Sequence, residues 1–219
     1  MNILLFGATG MVGQHIINTA IAHGHQVRAF GRNVFEKLST ERPDLELFKG
    51  YLFTESDIKK AVKGMDVVLS AIGGPMEPGN RTRSLGMKKI VGVLEKKGPK
   101  RIIGIGGMGI LDRVVDEETG ERDYIFNSPD FPKKYKTVTA EHFKAFQHLE
   151  KSKLDWTFIC PPNILDVEAT NYYSVNKDFP VEGKSEISAG DIASFMMAEI
   201  KENNFLKSRV GIAASFSET

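Results

Sequence analysis

Residues 3–13 read Ile3-Leu4-Leu5-Phe6-Gly7-Ala8-Thr9-Gly10-Met11-Val12-Gly13. Four apolar residues of strand character run straight into three glycines spaced three apart, and a helical pattern begins at once. Gly7 permits a tight turn, Gly10 lets backbone approach a pyrophosphate with no Cβ in the way, and Gly13 lets helix and strand pack closely. The helix N-terminus adds free N–H groups and a partial positive charge, so Thr9, Met11 and Val12 join the glycines as candidate phosphate-binding residues. The G-x-x-G-x-x-G spacing departs from the commoner G-x-G-x-x-G fingerprint. Three glycines alone are weak, but here strand, turn, helix and order along the chain agree.

The same unit recurs downstream. Apolar runs stand at 27–30, 45–48, 67–72, 101–105, 156–160 and 209–214, each separated from the next by a turn and a helical stretch, the signature of βαβ units. The runs at 3–6, 67–72 and 101–105 are almost continuously apolar, as strands covered on both faces should be, and are expected at the sheet's centre. Helices are predicted over Met11 to Ala22, Asp57 to Lys63 with Ser56 as cap, Thr82 to Lys97, from about Val138 onward, and from an Asp191 cap through Ile200. The expectation is an α/β, Rossmann-like, doubly wound and mostly parallel sheet in a single domain over residues 1–219. One stretch breaks the alternation: residues 110–137 are charged, hold two prolines and show no period. Such an irregular insert should lie over the carboxyl edge of the sheet, where open α/β sheets bind ligands.

Composition narrows the classes. The 219 residues exclude a dehydrogenase with a separate catalytic domain, and 29 Lys+Arg against 28 Asp+Glu give no global field toward nucleic acid or an anionic membrane. Cys160 is the only cysteine, which forbids an internal disulfide and a cysteine-built zinc cage and suits a reducing compartment. No apolar run approaches a membrane span, and the first residues lack the form of a signal peptide, so a soluble cytoplasmic protein is expected. No metal site is expected.

The end of the second strand bears on the choice of dinucleotide. NAD enzymes commonly place a carboxylate there for the ribose 2′-hydroxyl. This chain has Phe30-Gly31-Arg32-Asn33, with no carboxylate before Glu36. A guanidinium at that place can pair with a 2′-phosphate, so NADP(H) is favoured over NAD(H), with Arg32 and Asn33 as contacts. Ala71, Ile72 and Gly73 would floor the groove beside the first strand. Tyr51 and Leu52, after Gly50, would wall the adenine pocket. Residues 104–109 are rich in glycine where a nicotinamide needs neighbours, so Gly106 is a candidate for close backbone approach.

These residues also carry a resemblance. GATGMVG, FGRN, DVVLSAIGG and TAEHFKAFQHLEKSKLDWTFICPPNILD are similar to the atypical short-chain dehydrogenases, and within them to the small biliverdin-IXβ/flavin-reductase and NmrA-like NAD(P)-binding proteins. The resemblance spans nearly the whole chain except 110–137. It implies a Rossmann fold, NADPH binding and hydride delivery to a flat tetrapyrrole or flavin. There are departures. A Thr-Ser pair common after the fifth strand is replaced by Gly106-Gly107, a second His after the prolines by Asn163, and an Asp after the third-strand glycine by Tyr51. The Tyr-x-x-x-Lys of ordinary short-chain dehydrogenases is missing from its helix; Tyr173 and Lys177 have the spacing but follow the sixth strand and are read as coincidence.

Two side chains are left as candidates for chemistry. His142, at the border of the Phe143/Phe146/Leu149 stripe, would be a donor or proton source at the substrate edge, or else a partly exposed helix histidine. Asn163 follows two prolines and could bond a nicotinamide amide or a substrate carbonyl, or be a turn residue. His15, His23, His25 and His148 are read as lacking partners, Cys160 as an inert buried thiol, and Lys133, Lys134 and Lys136 as a solvated loop. The reading is an NADPH-dependent oxidoreductase moving hydride to a small planar or carbonyl acceptor, a flavin foremost. The alternative is a non-catalytic NADP(H)-binding regulator or redox sensor of NmrA-like type, with a protein partner. A monomer or homodimer fits either.

Overall fold

The first strand, β1 (Asn2–Phe6), sends alternate side chains into two different cores. Ile3 and Leu5 pack with Ile16, Ala20, Ile192 and Met196, whereas Leu4 and Phe6 pack with Ile58, Ile90, Phe146 and Phe158. A strand covered on both faces must be apolar at every position, which is why its sequence shows no alternation. A computed structural model describes residues 1–39, 41–182 and 185–215 of the chain.

After β1 the chain forms α1 (Met11–Ala22), β2 (Gln26–Gly31), a one-turn α2 (Val34–Lys37), β3 (Leu45–Lys49), α3 (Glu55–Ala61), β4 (Val67–Ser70), α4 (Thr82–Leu94) and β5 (Arg101–Ile105). A short hairpin of β6 (Asp112–Val115) and β7 (Arg122–Tyr124) precedes α5 (Lys136–Glu150) and β8 (Asp155–Cys160). Then come β9 (Asn163–Leu165), β10 (Tyr173–Lys177), β11 (Glu186–Ser188), α6 (Ala189–Glu202) and β12 (Ser208–Ala214). The main sheet has the order β10-β12-β8-β5-β4-β1-β2-β3, parallel throughout except for β10, which runs antiparallel to β12. The order reverses between β1 and β4, the switch point at which open α/β sheets leave a crevice. Helices α1 and α6 cover one face; α3, α4 and α5 cover the other.

The doubly wound, mostly parallel sheet agrees with the seven apolar runs, and α1 spans the predicted residues. Several local expectations are corrected. The cap of α3 is Thr54 rather than Ser56, and α4 ends at Leu94 rather than Lys97. The N-cap of α6 is Ser188, whose hydroxyl accepts the Asp191 amide at 2.8 Å. Asp191 itself turns away and accepts the amides of Thr170 and Asn171 and the Thr170 hydroxyl. A buried carboxylate requires such donors, so this one fastens the 166–171 loop instead of capping its own helix.

The insert at 110–137 is not an irregular loop. It holds the β6–β7 hairpin and two single turns of 3-10 helix at Ile125–Asn127 and Lys133–Tyr135. Only its first residues keep to the carboxyl edge; from Asp112 it packs toward β12, with the Asp112 amide on the Asp178 carbonyl. Arg209, fully buried on β12, donates to the Ile110 carbonyl at 2.6 Å and to Asp112 at 2.8 Å, and its guanidinium lies over the rings of Tyr124 and Phe146. Arg122 reaches the same carboxylate at 3.1 Å. Among the described residues no helix is long and apolar enough to cross a membrane.

Candidate functional site

The turn after β1 explains its glycines atom by atom. Gly7 has a φ of 81°, a left-handed conformation that side chains disfavour, and a Cβ there would stand 2.3 Å from the Ala71 carbonyl oxygen. A Cβ on Gly13 would lie 2.2 Å from the Gly7 oxygen. The first turn of α1 is thus pressed onto β1 and β4. Gly10 differs, since its Cβ would meet only the Gly7 oxygen at 3.3 Å and the residue faces solvent. The helical ladder starts with Gln14 donating to Gly10; among the described residues the amides of Met11, Val12 and Gly13 meet no backbone or side-chain acceptor, and no acidic residue sits in that turn. Three open donors and no neighbouring anion fit the phosphates of a dinucleotide.

Around this turn the sheet edge gathers most of the residues singled out by sequence. Arg32 and Asn33 follow β2 and are exposed, and Arg32 has no hydrogen-bond or ion-pair partner among the described residues, whereas Arg28 and Arg42 are engaged by Glu46 and Asn18. Tyr51 is 52% exposed at the end of β3, while its backbone amide donates to Asp57 Oδ2 at 3.0 Å. Leu52 packs against Gly86 of α4, where a Cβ would meet it at 2.7 Å. Ala71 is joined to β1 through its amide on the Phe6 carbonyl, and Ile72 and Gly73 continue the edge.

On the other side of the crevice the end of β5 is bare. The Gly106 amide bonds the Ile159 carbonyl at 2.7 Å and the Met108 amide bonds Pro161 at 2.9 Å, so this turn is tied to β8. A Cβ on Gly106 would strike Phe158 at 2.6 Å, and one on Gly107 would stand 2.7 Å from His142 Nδ1. The structure therefore brings His142 against Gly107. Burial, then the nearby Arg83 charge, push the His142 pKa down to about 3, against the weaker pull of Glu141. The ring is neutral near pH 7 and can offer one N–H as a hydrogen-bond donor. Glu141 is itself buried. Burial would raise its pKa, but the Ser84 hydroxyl and Lys144 (3.1 Å) outweigh that and lower it.

Asn163 is exposed on β9, its backbone N–H donating to the Ser185 carbonyl at 3.2 Å. It lies beyond Pro161, whose carbonyl holds Met108. Tyr173 and Lys177 sit on the edge strand β10, where Tyr173 packs edge-on against Phe195. Cys160 is buried, and burial raises its pKa further above that of a free thiol.

The NAD(P)H-binding family profile matches residues 7–203 of this chain. The chain belongs to the NAD(P)H-binding family. The uncharacterized protein YwnB of Bacillus subtilis is 28% identical over 210 residues, 92% of each chain. Among solved structures, a Burkholderia pseudomallei protein provisionally described as exported is 32% identical, with 97% of this chain and 99% of that one covered and a TM-score of 0.81. A Streptococcus pneumoniae protein provisionally named an NADH-flavin reductase is 25% identical over 98% of this chain and 100% of its own, with a TM-score of 0.76.

Within this NAD(P)H-binding chain, two features escaped sequence reasoning. Arg83, in the first turn of α4, donates to the Gly74 carbonyl at 2.7 Å and the Pro75 carbonyl at 3.3 Å and so braces the loop after β4. Nothing in the helical period marks it. His15 is not partnerless: Nε2 lies 2.9 Å from Asp166 and Nδ1 lies 3.8 Å from Glu168. Those carboxylates are more than 150 residues away along the chain, beyond the reach of local pattern.

Proposed function

We propose that the protein is an NADPH-dependent reductase that passes hydride to a small planar or carbonyl-bearing acceptor, with a free flavin as the favoured acceptor. The observation that carries this reading is the shape of the two edges: a turn with three open amides on one side, and on the other the bare Gly106-Gly107 backbone with one neutral imidazole above it. The amides of Met11, Val12 and Gly13 would hold the pyrophosphate, and the unpartnered Arg32 would hold a 2′-phosphate, with Asn33 beside it. Tyr51 and Leu52 would flank the adenine, and Ala71, Ile72 and Gly73 the riboses. A bound nicotinamide supplies the hydride. The chain's own task is to orient that ring and exclude water, with His142 offering a neutral N–H and Asn163 an amide at the acceptor edge. Flavin reduction requires no resident acid, so the neutral state of His142 is compatible with it.

The test is to mix the purified protein with NADPH and FMN and follow the nicotinamide absorbance. Turnover above the uncatalysed rate supports the reading; none with flavins, biliverdin or quinones removes it. One observation favours a second reading, a sensor of NADP(H) that controls a protein partner: the imidazole at the bare edge carries no acidic proton near pH 7. Binding that separates NADP⁺ from NADPH, without turnover, would mark that case. A reducing, cytoplasmic setting and a monomeric or homodimeric state are part of the proposal, suited to a single buried cysteine.

A further inference from the structure

Arg83 is partly buried, and its hydrogen-bond partners among the described residues are two uncharged carbonyls, those of Gly74 and Pro75. No carboxylate among the described residues forms an ion pair with it. Glu141 acts on it only from a distance, and that carboxylate is already occupied by Ser84 and Lys144. A guanidinium withdrawn from water without a counter-ion is costly, and burial accordingly lowers its pKa. Ser84, next to Arg83 on α4, donates to Glu141, next to His142 on α5, so the two side chains share one neighbourhood. A partly buried cation whose hydrogen-bond partners are all uncharged can accept an anion at little further desolvation cost.

Two sources could supply an anion there, the cofactor or the acceptor. On the reading proposed above, the cofactor's charged groups are already met elsewhere: the pyrophosphate by the open amides of α1, the 2′-phosphate by Arg32 after β2. Arg83 instead belongs to the His142 side, where the acceptor must approach. We infer that the hydride acceptor carries a carboxylate or phosphate group and that Arg83 is the residue that selects it, exchanging the Pro75 carbonyl for the anion while the Gly74 bond keeps the loop in place. A forked guanidinium can hold both at once. This inference rests on the proposed acceptor edge, but it concerns recognition and is separable from turnover.

FMN and riboflavin share one ring system and differ by a phosphate, so they serve as probes. Each is titrated into protein saturated with NADP⁺, with flavin fluorescence as readout. FMN is expected to bind about tenfold or more tightly than riboflavin, the gain of one charge-assisted contact. Arg83→Met should bring FMN down to the riboflavin affinity while leaving riboflavin and NADP⁺ affinities unchanged, and Arg83→Lys should restore part of the difference. Equal binding of the two flavins by the unmodified protein, or binding of neither, overturns the inference without recourse to any variant. A loss of NADP⁺ affinity in Arg83→Met overturns it too, by assigning the anion to the cofactor. Flavin turnover without FMN preference sinks this inference and leaves the reductase reading intact; Arg83-dependent preference without turnover does the reverse.

Discussion

The turn after β1 and the insert after β5, a strap that crosses to β12, are built by opposite means. The turn is held by backbone: Gly7, Gly13 and the Ala71 carbonyl lie so close that a single Cβ would not fit, and among the described residues no charged side chain is buried there. The strap is held by charge, with Arg209 and Asp112 buried together and Arg122 and Asp178 around them. Backbone geometry tolerates only glycine but demands no desolvation. An ion pair tolerates many neighbouring sequences, yet each partner is lethal to the other when removed. The turn with the open backbone donors uses the first device; the segment between β5 and α5 uses the second.

The comparison can be broken most forcefully at the strap. Arg209→Met leaves Asp112 buried without its main counter-charge and should destabilise the fold by about 3–5 kcal/mol in urea unfolding. Adding Asp112→Leu should recover a large part of that loss. If the single substitution costs under about 1 kcal/mol, the strap is not held by charge. At the turn, Gly7→Ala should cost about 1–3 kcal/mol of backbone strain, and calorimetry should find cofactor binding abolished, whereas Gly10→Ala should fold normally. Equal damage from both would show that the turn does not distinguish its glycines.

Smaller effects sharpen the contrast. Arg32→Ala should weaken NADPH by about 10–100-fold and leave NADH unchanged, the value of one charge-assisted phosphate contact. A uniform loss for both cofactors would remove Arg32 from the 2′-phosphate site. His142 provides the mildest test. Its folded pKa of about 3 lies below the ordinary histidine value of 6.5, so between those values the unfolded chain takes up a proton that the folded one refuses. Stability contributed by this group is full above pH 6.5 and falls as pH drops toward 3, by at most about 1.4 kcal/mol per pH unit. His142→Gln should flatten that part of the stability profile relative to the unmodified protein, and identical profiles would contradict the buried neutral ring.

Legibility in the sequence follows the same division. β1, β4 and β5 announce themselves because strands buried on both faces must be apolar throughout, and the glycine turn because its geometry admits no other residue. Arg209 was legible as a strand residue but not as a buried one, since its partners Ile110 and Asp112 lie in a segment whose charges look solvated. Within that segment β6 and β7 are too short and too polar to show a period. β10 was missed because an edge strand with one exposed side reads as Tyr-Ser-Val-Asn-Lys, and Asp191 misled because a carboxylate at a helix start ordinarily caps it. His142 could be placed by its block of neighbours, yet its neutral state depends on burial against Gly107 and on Arg83, neither visible locally.

The Arg209 pin has a consequence in time as well as in space. Its partners Ile110 and Asp112 precede it by 99 and 97 residues, and β12 is the last strand of the sheet. During synthesis the glycine turn, β1 to β4 and the first helices are complete while the arginine has yet to be made, so the strap waits for β12 before it can lock. The glycine turn is complete before the strap can be.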